Sequence, residues 1–214
     1  MALYQILADF KRPSSEKELT ESFSCLAPHF IYGGYINVRD VYRVYIRTVE
    51  FYFHDEKEYA NPIKDFIVYH RNRPEKGIVL PYFPLMTLHA HVSGFDITFE
   101  NEEQGYRASA LIREYSVFDV NNNRFLELKK NKRDDRSTYL YDYINGFSLV
   151  GDSGVRWVDE ERFPRKDLLQ GRRCRVCAYR ETGNPQEPYE KIDRISDDRP
   201  WSFKLNDDIW LPTD

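Results

Sequence analysis

The sequence lacks long hydrophobic runs. None of its apolar stretches approaches the ~20 residues that a helix needs to span a bilayer. The first residues, MALYQILADFKRPSS, are too polar, and their apolar run is too short, for a secretory signal peptide or an anchor. These absences exclude a helical membrane protein, and we expect no membrane among its partners.

Cysteine is also scarce, with only Cys25, Cys174 and Cys177 in 214 residues. An odd number of cysteines without a secretory signal predicts a reducing, cytoplasmic location rather than a disulfide framework. Cys174 and Cys177 form a C-x-x-C pair, but a zinc site needs four ligands and the sequence has no second pair. The G-x-G-x-x-G, P-loop and G-x-S-x-G motifs are absent too, so we predict no metal at these cysteines and no nucleotide cofactor.

Aromatic residues are abundant by contrast. The 16 Tyr and 14 Phe favour strands and also suit ligand or base stacking. The net charge of −4 argues against bulk electrostatic attraction to DNA or to an anionic membrane. We interpret two basic clusters as solvated faces, with phosphate binding as the alternative. They are Lys129, Lys130, Lys132 and Arg133, and Arg172, Arg173 and Arg175.

Turn residues and apolar alternation divide the chain into predicted elements. The pattern predicts a helix over Ser14–Phe23 and another in FLELKK. It predicts strands over Tyr42–Phe53, Leu85–Glu100 and Tyr106–Phe118, and further strands between Gly171 and Ile209. Asp65–His70 is predicted as a strand or a turn of helix, and Arg71–Pro84 as a loop. No repeat or linker interrupts this order. We therefore expect one α+β domain over residues 1–214, dominated by a mixed or antiparallel sheet.

One glutamate falls inside a strongly apolar predicted strand, VYRVYIRTVEFYF. Alternation along a strand places Glu50 and Tyr52 on the face that carries Val44 and Ile46, which we interpret as the buried face. A carboxylate on a buried face is costly unless it is paired, hydrogen-bonded or open to a cleft. Glu50 is therefore the first candidate for chemistry.

Two histidines share another predicted strand. His89 and His91 lie two residues apart and therefore point the same way, either as a metal pair or as the polar wall of a cleft. His70 and Glu50 are the conceivable further metal ligands. Satisfied structural histidines are the simpler interpretation.

An arginine interrupts the apolar strand ASALIREY. A buried arginine usually pairs with a carboxylate, so Arg113 is expected to pair with Glu114, Glu100 or Glu50. The alternative is that Arg113 positions a substrate.

Five short segments follow one another along the chain: Leu26-Ala27-Pro28 with FIYGGYI, then RTVEFY, TLHAHVSG, ALIR and RPWSF. In this order the chain resembles the methylpurine (alkyladenine) DNA glycosylase family from about Leu26 to the C-terminal region. The segments are similar to that family's L-A-x-x-x-x-G opening, its I-x-E-T-E-A-Y strand, its T-L-Y-V-Y-x-x-Y-G segment (here one residue shorter), its V-L-L-R strand and its closing P-[WF]-x-S element.

The resemblance implies a fold and a site. The fold would be similar to that of the alkyladenine DNA glycosylases, a largely antiparallel curved sheet with peripheral helices, in which residues 1–24 form an N-terminal helical segment and residues 25–214 the core. Glu50 stands at the family's catalytic glutamate and Tyr52 at its base-stacking tyrosine. The site residues implied in addition are His89 and His91, which stand where the family has tyrosines, and Arg113, which would orient Glu50 or the nucleotide. A flipped nucleotide would lose its purine as Glu50 activates water for attack at the sugar C1′.

The chain also departs from the family pattern. Val49 and Phe51 replace the Thr and Ala of the glutamate motif, Ser93 or Gly94 falls where the family's wedge tyrosine stands, and the pocket asparagine falls near Glu100 or Asn101. We therefore expect either a divergent glycosylase that acts on a damaged or alkylated purine in DNA without a cofactor, or a non-catalytic module that binds a nucleotide, a nucleic acid or a protein. A third hypothesis is a metal-dependent enzyme that uses His89, His91 and a carboxylate, and it predicts stoichiometric zinc or another divalent ion.

Overall fold

The computed structural model describes residues 2–91, 94–126, 148–151, 154–161, 165, 167–173, 176–184, 187–195 and 198–206. Residues 75, 90, 91, 176–184 and 187–195 are described by their backbone. The basic cluster from Lys129 to Arg133, together with Ser93, Cys174 and Arg175, therefore lies outside the described residues.

A long helix follows a short one at the start of the chain. Helix α1 spans Leu3–Ala8 and helix α2 spans Glu16–Tyr32. The Ser15 hydroxyl accepts a hydrogen bond from the backbone N–H of Glu18 and thereby caps the N-terminus of α2. The predicted end at Phe23 is wrong, because buried apolar residues continue at helical spacing to Ile31 and hold the helix on the sheet. These residues outweigh the amide that Pro28 lacks.

The strands are all antiparallel to their described neighbours. They are β1 (Gly34–Val38), β2 (Tyr42–Asp55), β3 (Leu88–His91), β4 (Gly94–Thr98), β5 (Tyr106–Asp119), β6 (Arg124–Phe125), β7 (Val155–Asp159), β8 (Leu168–Gly171), β9 (Val176–Asn184), β10 (Glu187–Ile195) and β11 (Ser202–Leu205). A single 3₁₀ turn, Pro74–Lys76, lies within the described part of the predicted loop.

One curled sheet contains nine of these strands. Its main path runs β3-β4-β5-β2-β1-β7, while β11 pairs with β2 and β8, β6 pairs with β5, and β9 and β10 form a separate hairpin. Helix α2 packs on one face, where Phe23 stacks on Phe51 with ring centroids 4.6 Å apart. The result is a single α+β domain, as predicted, with antiparallel rather than mixed pairing among the described strands.

Strand β2 changes the face that it turns to the core. Val44 and Ile46 belong to the same buried cluster as Val49 and Phe51, although simple alternation would separate the two pairs. The pairing of β2 with β5 is irregular on both sides of Thr48, and this irregularity exchanges the two faces. The predicted placement of Glu50 on the face of Val44 and Ile46 is therefore wrong: Glu50 points away from the apolar core.

Three other predicted elements differ from the structure. The predicted strand Leu85–Glu100 is the antiparallel pair β3 and β4. Asp65–His70 contains turns, and neither a strand nor a helix. In FLELKK, Phe125 ends β6, and the segment after Leu126 lies outside the described residues. None of the described helices has the length and apolarity needed to cross a bilayer.

Candidate active site

The face of the sheet opposite helix α2 carries a row of polar side chains. Residues paired across antiparallel strands point to the same face, and here Glu50 pairs with Leu111, Leu111 with Asp96, and Asp96 with His89. Neighbouring strands lie about 4.8 Å apart, so the Cα atoms of Glu50 and Asp96 are about 10 Å apart with Leu111 between them. Glu50 and Asp96 are each only 2% exposed.

Two side chains hold the Oε2 atom of Glu50. The Tyr52 hydroxyl donates to Oε2 over 3.1 Å, and Nε of Arg113 lies 3.2 Å from the same atom. Of the partners expected for Arg113, the structure selects Glu50. Glu114 instead pairs with Lys204, and Glu100 with Arg107, both at 2.9 Å.

Tyr52 is a buried hydrogen-bond donor. Burial is the main cause that raises the pKa of its hydroxyl well above the usual value, and the nearby Glu50 carboxylate raises it further. Arg173 and Arg113 oppose this shift without reversing it. Tyr52 therefore stays protonated at neutral pH and continues to donate to Glu50.

Arg173 belongs to this site, although the sequence pattern predicts a solvated face for it. The side chain is 1% exposed, and its guanidinium lies 4.4 Å from the centre of the Tyr52 ring. It donates to Oδ2 of Asp65 over 2.6 Å and to the carbonyl oxygen of Phe51 over 3.2 Å. Arg172, the preceding residue, is exposed as expected and pairs with Asp198 at 2.8 Å. No local signal distinguishes the two arginines, because the partners of Arg173 come from distant parts of the chain.

The segment from Ile63 to Arg71 covers the site. Val68 forms a small apolar cluster with Tyr52 and Leu111, and Ile67 packs against it. Asp65 is buried at the start of the cover. Burial alone would raise the pKa of its carboxyl, but the ion pair with Arg173 outweighs burial and lowers it. Glu50 is thus covered rather than open to a cleft.

The two histidines predicted as a possible metal pair both lie on β3. His89 lies on the same row as Glu50, half-buried, with its ring 3.8 Å from that of Phe83. His91 pairs with Gly94 through the backbone, and its side chain lies outside what the structure describes. Across the described part of the chain, no group of three or more His, Cys, Asp or Glu residues is arranged to hold a metal ion.

Two buried histidines hold the cover to the sheet. His54 accepts a hydrogen bond at Nδ1 from the backbone N–H of Asp65 over 3.0 Å. Burial, with Lys64 and Arg71 nearby, lowers the pKa of His54 to about 3, so this ring is neutral. At the other end, Nδ1 of His70 contacts the Glu100 carboxylate.

Ion pairs neutralise two carboxylates at the C-terminal end of β2. Asp55 pairs with Arg12 at 2.7 Å, and Glu56 pairs with Arg107 at 3.1 Å. Glu58 is exposed and lies 3.7 Å from Lys64. The acidic run DEKE therefore contributes less negative potential near the site than its sequence indicates.

No protein-family model, no curated protein and no solved structure matches this chain. A proposal for the function therefore depends on the geometry of the site and on the order of the sequence motifs.

Proposed function

We propose that the chain is a divergent DNA N-glycosylase-like hydrolase that removes a damaged or alkylated purine, with Glu50 as the base that activates water. The proposal treats the curled sheet as a divergent version of the alkyladenine glycosylase fold. One observation carries it: Tyr52 and Arg113 both hold Oε2 of a glutamate that is 2% exposed. A buried carboxylate in a fixed orientation suits a general base, which must meet its proton at hydrogen-bond distance.

The proposed reaction proceeds in one hydrolytic step. The nucleotide leaves the base stack and enters between the cover and the sheet. Glu50 takes a proton from water, the water oxygen bonds to the sugar C1′, and the C1′–N bond breaks with its electron pair leaving on the purine. Tyr52 and Arg113 keep the carboxylate in place, and the aromatic ring of Tyr52 offers a surface for the base.

The test is base release under single-turnover conditions from duplexes that contain hypoxanthine or an alkylated purine. Glu50→Gln keeps the size of the side chain but removes the base, so we expect release to fall by about 100-fold or more while circular dichroism stays unchanged. The matched control is Glu114→Gln, which changes a glutamate on neighbouring strand β5 that pairs with Lys204 and should leave release unchanged. Equal release by the wild type and Glu50→Gln would refute the proposal.

A non-catalytic binding module is the second candidate, and the burial of Glu50 favours it. A glutamate that is 2% exposed and already paired with Arg113 has the environment of a structural ion pair. The net charge of −4 also disfavours duplex binding. This candidate predicts no base release by the wild type, equal ligand binding by the wild type and Glu50→Gln, and little loss of DNA affinity as salt rises.

A further inference from the structure

Beyond its first residue, Ile63, whose carbonyl oxygen accepts from the backbone N–H of Asp55 over 2.9 Å, the cover over Glu50 is held mainly by side chains. Between Ile63 and Arg71 the chain has turns but no helix or strand. Val68 is 1% exposed because it rests on Tyr52 and Leu111. A segment without a backbone ladder can leave the sheet when its side-chain contacts break, without unfolding the strands beneath it.

Arg173 joins this cover to the catalytic side of the site. Its guanidinium makes the 2.6 Å ion pair with Asp65 and also lies over the ring of Tyr52. The ring of Tyr52 is therefore confined by Arg173, Val68 and Leu111, while its hydroxyl donates to Glu50. A movement of Arg173 would change the position of that hydroxyl.

Arg173 contacts both the sheet and the cover, through different kinds of interaction. Toward the sheet it donates to the Phe51 carbonyl and lies 5.0 Å from the centre of the Trp201 ring, so β2 and the segment before β11 hold it. Toward the cover it has the Asp65 carboxylate. Burying such an ion pair yields little net stability, because the cost of desolvating both charges offsets their attraction. Separating the two charges is costly while they stay buried, so the ion pair breaks only when the cover lifts and water hydrates both, and the Phe51 carbonyl and the Trp201 ring then keep Arg173 over Tyr52.

We propose that Arg173 is a positioning residue of the Glu50 site. We propose further that the middle of the cover, Asp65–His70, is a lid that the ion pair with Arg173 holds closed. In the latched state Arg173 orients Tyr52 toward Glu50 and the lid excludes water. A ligand reaches Glu50 after Asp65 leaves Arg173. The role in base excision rests on the proposed function, whereas the latch itself does not.

The latch is tested by hydrogen exchange of the free protein. Asp65→Asn removes the charge of the latch, so we expect the backbone amides of residues 66–70 to exchange about tenfold faster or more, relative to amides of α2 in the same protein. The control is Asp119→Asn, which changes another buried aspartate at the end of β5, where it accepts hydrogen bonds from the backbone N–H groups of Asn121 and Asn122 and has no contact with the cover. The latch is wrong if Asp65→Asn leaves exchange of residues 66–70 unchanged, or if both variants accelerate it equally.

The positioning role is tested by a fluorine NMR signal from 3-fluorotyrosine at position 52. Arg173→Lys keeps the charge for Asp65 but lacks the planar group that stacks on Tyr52, so we expect the signal to shift and broaden. An unchanged Tyr52 signal in folded Arg173→Lys would overturn the role. If that variant does not fold, the same signal in Asp65→Asn decides: a sharp signal at the wild-type position supports independent positioning by Arg173, and a broadened one contradicts it. Neither measurement uses a substrate, so a wild type without base release would refute the proposed function and leave the lid standing.

Discussion

Tyr52 and Glu50 lie two residues apart on β2 and share a hydrogen bond of 3.1 Å on the polar face of the sheet. The bond exists because the irregular pairing around Thr48 turns Val49 and Phe51 to the core and leaves Glu50 and Tyr52 on the opposite face. Arg113, on the adjacent strand β5, contacts the same oxygen at 3.2 Å. The carboxylate is thus fixed from its own strand and from the neighbouring one.

Tyr52→Phe should weaken folding by removing a donor to a buried carboxylate. Hydrogen bonds to charged groups contribute about 1.5–3 kcal/mol, so we expect the free energy of unfolding to fall by about 2 kcal/mol. Tyr106→Phe is the matched control, because that buried hydroxyl donates to the neutral carbonyl of Phe10 over 3.2 Å and its loss should cost about 1 kcal/mol. Urea unfolding of both variants measures the two losses. An equal loss in the free energy of unfolding would contradict a stronger hydrogen bond from Tyr52 to the charged Glu50.

Arg113→Met should destabilise the fold by leaving Glu50 buried without its cation. Removing one partner of a buried ion pair costs about 3 kcal/mol. The double variant Glu50→Gln/Arg113→Met removes both charges, so it should be more stable than the sum of the single changes by about 1–2 kcal/mol. Additive losses in this double-mutant cycle would contradict the coupling between the two side chains.

His54 should make the stability depend on pH. Its pKa is about 3 in the folded protein and about 6.5 when unfolded, so the unfolded chain binds the extra proton between these values. Stability therefore falls as pH drops through about 6.5, and His54 contributes about 2 kcal/mol of loss between about pH 7.5 and pH 5. His54→Gln keeps an acceptor for the N–H of Asp65 and should reduce the loss by that amount. Parallel pH curves for the wild type and the variant, measured by denaturant unfolding, would rule out a neutral buried His54.

The long strands could be predicted from sequence because their residues alternate in polarity. The patterns over Tyr42–Phe53 and Tyr106–Phe118 match β2 and β5 to within two residues at each end. The exchange of faces at Thr48 could not be predicted, since no glycine or proline marks it and it arises from the pairing with β5. Simple alternation therefore finds Glu50 but assigns it to the wrong face.

The contacts of the site also include some that the sequence predicts and some that it does not. Glu50 and Tyr52 are near neighbours in the sequence. A lone arginine in an apolar strand usually pairs with a carboxylate, so the sequence predicts Glu50 as one of the partners of Arg113. Arg173 and Asp65 are separated by 108 residues, and their ion pair forms where Arg173, after β8, also reaches the carbonyl oxygen of Phe51 on β2. Local patterns cannot show such a contact, which is why Arg173 looks like part of an ordinary basic cluster.

The most direct measurement is the affinity of the protein for duplexes that carry an abasic-site mimic. A pyrrolidine mimic places a positive charge near the position of C1′ in the cationic transition state, and a tetrahydrofuran mimic of the same shape is neutral. If the Glu50 carboxylate faces the reacting sugar, the wild type should bind the cationic mimic about 100-fold more tightly than the neutral one, and Glu50→Gln should lose that preference. A wild type that does not distinguish the two mimics, or a preference that survives in Glu50→Gln, would contradict the assignment of Glu50 as the catalytic base.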